Sequence, residues 1–325
     1  MSLKTNESNG QTAVLSDVLV HLQDVAQSPS FSLLTGLSDL GADELKLFKD
    51  AWNTLSAERK CAILSHLREL AEDNVIYDFS AVFKHALYNT EDDVRQSAIE
   101  GLWENEESSL IFPLLKIISG SGSDALRQSA ATALGRFATL AECHRIDSDN
   151  VVLLSQALLT IANDPSEPIL LRRRALEAAA PLSLADVTHA IWTAYRHQEV
   201  EMQVGAIQAM GLNRDLLWLP TIIQELASDN PEVRYAAATA AGELEEAEAV
   251  PSLIELVDDL DPEVRLAAVQ ALGNIGGNEA KQVLKNLTKH DDQPLRDAAA
   301  HALATIELLG GITLPKQFMT DDSPS

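Results

Sequence analysis

Residues 229–244 read DNPEVRYAAATAAGEL, and this stretch predicts the fold because variants of it recur along the chain. DLDPEVRLAAVQALGNI follows at 259–275, and DDQPLRDAAAHALATI follows at 291–306. With Arg234 as the reference residue, the period is 31 residues, and the equivalent positions are Gln203, Arg265 and Arg296. A fixed period of this length is typical of a repeat protein.

Three earlier units extend the pattern towards the N-terminus, with reference residues Arg95, Arg127 and Arg172. The step from Arg95 to Arg127 is 32 residues and the step from Arg127 to Arg172 is 45 residues. The longer step indicates an insertion of about 14 residues, placed at 136–149. The residues do not decide between a loop and a longer helix there.

The equivalent positions of the aligned repeats predict an amphipathic helix. Apolar residues occupy the positions one before, three after and seven after the reference residue, which is an i, i+4, i+8 stripe. Alanine fills the +3 position in all seven units: Ala98, Ala130, Ala175, Ala206, Ala237, Ala268 and Ala299. Small residues at this position let neighbouring helix axes approach to about 8–10 Å.

The boundaries of this helix can also be predicted. Asn230-Pro231 and Asp261-Pro262 are typical of a helix N-cap followed by proline in the first turn. Glycine at the +8 position predicts a C-terminal cap, at Gly135, Gly211, Gly242 and Gly273. A second apolar helix precedes each cap, so each unit is predicted to be two helices, with no strand signal.

The consensus D-x-x-V-R-x-x-A-x-x-A-L-G over 78–308 resembles the HEAT-like repeat, in the short form found in phycobilin-lyase-type proteins. Residues 37–74, LSDLGADELKLFKDAWNTLSAERKCAILSHLRELAEDN, are similar to a family of bacterial HEAT-repeat proteins. The resemblance implies an all-α fold, a right-handed α-solenoid of about seven HEAT-like helix-turn-helix repeats with an N-terminal helical cap. It carries no catalytic residues over to this chain.

The remaining segments differ from the repeats. Residues 1–12 are polar and are predicted to be disordered. Residues 13–77 are predicted to form a helical N-terminal cap with one degenerate repeat. Residues 309–325 are predicted to be a C-terminal tail, because Gly310-Gly311 interrupts the last helix.

The charge and the cysteine content exclude several classes of function. The formal net charge is −25, from 49 acidic and 24 basic residues, which disfavours nucleic acid and anionic membranes as partners. Two cysteines are too few for a disulfide framework or a thiolate zinc site. The chain has no apolar run long enough to span a membrane and no apolar core of a signal peptide at its start, which predicts a cytoplasmic protein.

No residues indicate catalysis. None of the eight histidines is followed by glutamate, so the His-Glu pairs of the HEAT-repeat diiron hydroxylase that modifies a lysine are absent. No spacing typical of a metal site or of a nucleophilic triad is present. The prediction is a non-enzyme without metal or cofactor.

The reference arginines are predicted to be structural, through ion pairs from one repeat to the next. They are Arg95, Arg127, Arg172, Arg234, Arg265 and Arg296.

Val204, Tyr235 and Leu266 are at the +1 position of three consecutive repeats, on the face predicted to line the concave side. An exposed apolar stripe of this kind is typical of a protein interface. The alternative is sideways packing between adjacent second helices. Trp103 and Arg173 are predicted to be on the same side.

These features predict a scaffold or adaptor that binds a protein or peptide along the concave face. The acidic run from Glu243 to Glu263 is typical of a solvated rim, and the alternative is an electrostatic surface for a partner with a basic segment. The alternative is a bilin (tetrapyrrole) lyase or a chaperone-like role, which the resemblance to phycobilin-lyase repeats implies. A DNA glycosylase on HEAT-like repeats is a third possibility that the negative charge opposes.

Overall fold

The computed structural model describes residues 15–23 and 30–311, with side chains up to residue 308. The predicted disorder at 1–12 and residues 312–325 of the predicted tail lie outside this part. Within the described residues, the chain is helical and has no strand. The helices are α1 (15–23), α2 (Phe31–Leu34), α3 (Ala42–Trp52), α4 (Ala57–Asp73), α5 (Ser80–Ala86), α6 (Asp92–Gly101), α7 (Ile111–Ile118), α8 (Asp124–Glu142), α9 (Ser148–Asn163), α10 (Ile169–Ala179), α11 (Ala185–Tyr195), α12 (Val200–Asn213), α13 (Leu219–Glu225), α14 (Pro231–Leu244), α15 (Val250–Leu256), α16 (Pro262–Ile275), α17 (Gly277–Leu287) and α18 (Gln293–Gly311).

The chain divides into two compact units, Met1–Ala178 and Ala179–Ser325. In the second unit, α12, α14, α16 and α18 pack side by side in chain order, and α11, α13, α15 and α17 each pack on the helix that follows. In the first unit, α4, α6 and α8 form the same kind of row, with α5 against α6 and α7 against α8. Packing of each helix pair on its neighbours is the arrangement of an α-solenoid. The predicted all-α solenoid class is confirmed.

The predicted N-caps are present. The Asn230 side chain accepts a hydrogen bond from the backbone N–H of Glu232, and the Asp261 side chain accepts one from that of Glu263. Pro231 and Pro262 then begin α14 and α16. Capping satisfies backbone donors that have no partner inside the helix, so each second helix begins at a fixed residue.

The insertion is mainly a longer helix. Residues 136–142 continue α8, which runs from Asp124 to Glu142, and α9 begins at Ser148 after a short turn. Arg145 in this turn contacts the carboxylate of Glu106. The insertion therefore lengthens α8 instead of adding a loop.

The predicted glycine C-caps were wrong. Gly135, Gly211, Gly242 and Gly273 are inside their helices, and each faces an alanine of the following second helix. A Cβ atom on Gly211 would lie 2.6 Å from the Cα atom of Ala240. The chain instead leaves α12 and α14 through Arg214 and Glu245, both with left-handed backbone, one turn further on. Glycine is therefore needed for close helix packing.

The described part of the N-terminal region contains helices α1 to α4, and its role as a cap stays a prediction. In the degenerate unit, Ser56 caps α4, and Arg59 is buried and donates hydrogen bonds to the carbonyl oxygens of Leu22 and His21. Arg68 on α4 forms an ion pair with Glu100 on α6, at 2.6 Å. At the other end, α18 runs to Gly311, so the predicted break at Gly310 does not occur within the described residues.

Among the described residues, no helix is both long enough and apolar enough to cross a membrane. No three His, Cys, Asp or Glu side chains among them lie close enough together to hold a metal ion.

The close approach at Gly211 generates a stability prediction. Gly211→Ala should lower the free energy of unfolding by about 2 kcal/mol, because overpacking against backbone costs more than the gain in helix propensity of about 1 kcal/mol. Urea unfolding followed by circular dichroism measures this. Gly242→Ala, where the nearest atom would be 3.0 Å away, should cost less. An increase in stability for Gly211→Ala would contradict the packing role.

Candidate functional site

A groove of about 420 Å³ lies between α14 and α16. Tyr235 and Leu266 face it, and Tyr235 is 38% exposed while Leu266 is half-buried. The other lining residues are polar or small: Thr239, Gly242, Glu243, Glu263, Ala267, Gln270, Ala271 and Asn274. The groove thus combines an aromatic ring and an aliphatic side chain with two carboxylates.

A second groove, of about 440 Å³, lies between α16 and α18. Leu266, Gln270 and Asn274 line both grooves, so they form the ridge that separates them. Pro294 and His301 belong to its far wall. Neighbouring helices are about 8–10 Å apart, and three residues of extended chain span about 10 Å. One short extended segment is therefore long enough to reach both grooves.

The first groove carries uncompensated negative charge. The carboxylate of Glu243 is 3.0 Å from the guanidinium of Arg214, but both groups are exposed enough for this ion pair to contribute little. The exposed carboxylate of Glu263 makes no ion pair with any described residue. A basic side chain entering the groove would therefore meet at least one free carboxylate.

Val204 does not belong to this surface. Its side chain is 5% exposed, so its prediction as a partner-binding residue was wrong. The reason is the packing of α12 on α14, where Gly211 brings the two helices together. Sideways packing between second helices, the alternative for the +1 position, applies to Val204 but not to Tyr235.

Trp103 and Arg173 lie in the first unit. Trp103 follows the end of α6 and is 56% exposed, beside a groove between α6 and α8. Arg173 donates a hydrogen bond to Glu177 at 2.8 Å, and its side chain is mostly buried. Its prediction as a partner-binding residue is therefore corrected, because its guanidinium is engaged within α10.

Three of the six reference arginines link the turns of adjacent repeats. Arg234 forms a bidentate ion pair with Asp259 of the next repeat, at 2.7 and 2.8 Å, and also donates to the carbonyl oxygen of Ser228. Arg127 pairs with Glu167 in the same way. Arg265 reaches Asp292 at 3.4 Å. In these three repeats the guanidinium joins its own turn to the turn of the next repeat.

The other three reference arginines make local contacts. Arg95 pairs with Asp92 on its own helix, and Asp92 accepts a hydrogen bond from the backbone N–H of Ser123 in the next repeat. Arg172 donates to the carbonyl oxygen of Ala162, and Arg296 donates to that of Asp291. The direct inter-repeat ion pair is therefore not general.

Sequence reasoning did not assign Asn274 or Arg136 to a site, and it assigned Glu243 only to the acidic run and not to a groove. Glu243 and Asn274 are at the +9 position, which continues the +1 and +5 face by one helical turn. Extending that column would have found both residues. Arg136 is in the insertion, where the repeat alignment has no equivalent position to compare.

Residues 219–304, which carry both grooves of the second unit, match the family model for HEAT repeats. Residues 219–304 therefore contain HEAT repeats. No curated protein matches the sequence significantly.

Three solved structures are similar to this chain at low sequence identity. The complex of CpcE and CpcF of phycocyanin lyase from Nostoc sp. PCC7120 is 19% identical, with 71% of this chain and 94% of that chain covered and a TM-score of 0.47. Importin beta is 15% identical, with 86% and 44% covered and a TM-score of 0.46. Human deoxyhypusine hydroxylase is 19% identical, with 93% and 99% covered and a TM-score of 0.32.

The link between Arg234 and Asp259 generates a pH-dependent prediction. The Arg234 guanidinium holds the pKa of Asp259 below its ordinary value, so the ion pair stabilises the fold fully above about pH 5 and loses this effect as the pH falls through the lowered pKa. Asp259→Asn should lower the free energy of unfolding at pH 7 by about 3 kcal/mol.

Urea unfolding of wild type and Asp259→Asn between about pH 7 and pH 3 measures this, and the difference should narrow below about pH 5. Asp258→Asn is the matched control, because Asp258 is the exposed neighbour and has no ion pair with a described residue. A difference that stays constant over this pH range would contradict the role of the ion pair.

Proposed function

We propose that this HEAT-repeat protein is a non-catalytic adaptor that binds an extended protein segment across α14, α16 and α18. A basic side chain of the segment enters the groove between α14 and α16, where the carboxylates of Glu243 and Glu263 are available. Apolar side chains of the segment contact Tyr235 and Leu266.

The observation that carries this proposal is the pairing of apolar and acidic groups in one groove. Tyr235 and Leu266 supply apolar area whose burial favours association, and the ring of Tyr235 can also attract a cation over its face. Glu263 is exposed and has no ion pair with a described residue. A lysine or arginine next to an apolar residue complements this arrangement.

The net charge of −25 also favours a partner segment that is positively charged. A strongly negative protein attracts basic segments at long range and accelerates their association, and this effect weakens with added salt. Binding should therefore be strongest at low ionic strength. The apolar contacts with Tyr235 and Leu266 should keep part of the affinity when salt is high.

A random peptide library displayed on phage and selected on the immobilised protein tests this proposal. The selected peptides should contain lysine or arginine beside an apolar residue. Tyr235→Ser should weaken a selected peptide by about tenfold, because hot-spot aromatic residues contribute at least this much. Glu263→Gln should weaken it less at high salt than at low salt.

Leu216→Ser is the control, because Leu216 is an exposed apolar residue that lines neither groove. This variant should bind the selected peptides like wild type, and circular dichroism should show that every variant is folded. Selected peptides without basic residues, or unchanged affinity in Tyr235→Ser, would contradict the proposed groove.

The tetrapyrrole role remains the alternative that the resemblance to phycobilin-lyase repeats implies. Incubation of the protein with a bilin, followed by gel filtration, tests it. Visible absorbance that elutes with the protein would favour this alternative over the adaptor.

A further inference from the structure

The first unit contains a separate groove of about 550 Å³ between α6 and α8. Its apolar part includes Ile99 and Trp103, and its polar part includes Gln96 and Gln128. Arg136 and Arg174 also line it. Volumes of this size are typical of sites for small organic ligands.

Arg136 is a cation without a counter-ion in this groove. Its Nε atom is buried and has no hydrogen-bond partner in the described part of the chain. The guanidinium lies 5.2 Å from the ring centroid of the buried Phe137. Burial lowers the pKa of Arg136, and the negative charge of Glu106 only partly opposes this effect. A half-buried donor of this kind costs free energy until an acceptor binds.

The other guanidinium that lines the groove, that of Arg174, has an ion-pair partner. It lies 2.8 Å from the carboxylate of Glu177. Glu100, which also lines the groove, is already bound by Arg68 at 2.6 Å. Among the charged residues that line the groove, Glu100 and Arg174 thus have ion-pair partners, whereas Arg136 has none in the described part of the chain.

Trp103 supplies an exposed aromatic surface beside these cations. Its side chain is 56% exposed, whereas Trp52 and Trp218 are buried and Trp192 is half-buried. An indole ring and a guanidinium that line the same groove fit a ligand that has an apolar body and one anionic group.

We propose that the groove between α6 and α8 binds an organic carboxylate. The carboxylate accepts hydrogen bonds from Arg136, and the apolar or aromatic body of the ligand lies on Trp103. A single negative charge fits better than a phosphate dianion, because the groove has only a small positive excess within a strongly acidic protein. The site is independent of the proposed adaptor groove, since it lies in the other unit and has the opposite charge.

Pyrenebutyrate, followed by fluorescence anisotropy on the full chain, is a suitable probe. Pyrenebutanol has the same apolar body without the charge, so the acid should bind at least about tenfold more tightly than the alcohol. Equal affinity for both probes would overturn the proposal.

Two peptides that end in Gly-Gly-Phe identify the source of the carboxylate. One has a free C-terminal carboxylate and the other is amidated. Displacement of pyrenebutyrate by the free acid alone would support the proposal and assign the ligand to a protein C-terminus. Displacement by 4-phenylbutyrate but by neither peptide would support it and assign the ligand to a free small molecule.

Three variants distinguish binding of the probes in this groove from a general effect of the protein's charge. Arg136→Gln should weaken pyrenebutyrate by at least about tenfold and leave pyrenebutanol unchanged, whereas Trp103→Ala should weaken both probes. Lys285→Gln is the matched control, because it removes one exposed positive charge from the other unit and should change nothing. Unchanged binding of pyrenebutyrate to Arg136→Gln would overturn the proposal.

The stability of Arg136→Gln provides an independent readout. Removing a half-buried charge that has no counter-ion should leave the thermal midpoint of the unliganded protein unchanged or raise it. A ligand role thus predicts lost binding without lost stability. A large drop in the midpoint would overturn the proposal, because it would show that Arg136 is structural.

Discussion

The arrangement of this protein depends on the close contact between successive second helices. Glycine on one helix faces alanine on the next, from Gly211 against Ala240 to Gly273 against Ala302. No larger side chain fits at the closest of these contacts without a shift of the backbone. Because these helices are so close, the side chains between them are buried, and only the outermost columns remain available for binding.

The grooves follow from this packing. Tyr235, Thr239 and Glu243 form one wall, and Leu266, Gln270 and Asn274 form the ridge beside it. Both sets are spaced by four residues, so helical geometry alone aligns them. The side chains in these columns are not needed for the contact between helices. Their chemistry can therefore vary between repeats, which is how one groove becomes acidic while the groove between α6 and α8 contains arginine.

The helix pairs could be predicted from the sequence because the residues that set the helix boundaries act on their own turn of the chain. Asn230, Asp261 and the prolines that follow them act within a single turn. The role of Gly211 could not be predicted in this way, since a glycine near a helix end looks the same whether it ends the helix or contacts another one. Only the position of the next helix decides between the two.

The candidate site was predicted in part for a similar reason. Tyr235 and Leu266 were found from their helical face, but the burial of Val204 depends on how far α14 approaches α12. Arg136 was missed because it lies in the insertion, where the pattern of the repeat stops. The repeat period thus predicts which residues share a helix face. The exposure of each residue depends on how closely the neighbouring helix packs.

The bidentate contact of Arg234 with Asp259 has a consequence for the way the second unit opens. Asp259 also accepts a hydrogen bond from the backbone N–H of Asp261, so one carboxylate joins two turns and the start of the next helix. If either of these repeats opened by itself, Arg234 and Asp259 would lose their ion pair across the repeat boundary. Adjacent repeats are therefore coupled into one cooperative block, and amide protons on α14 and α16 should exchange together with solvent instead of fraying one helix at a time.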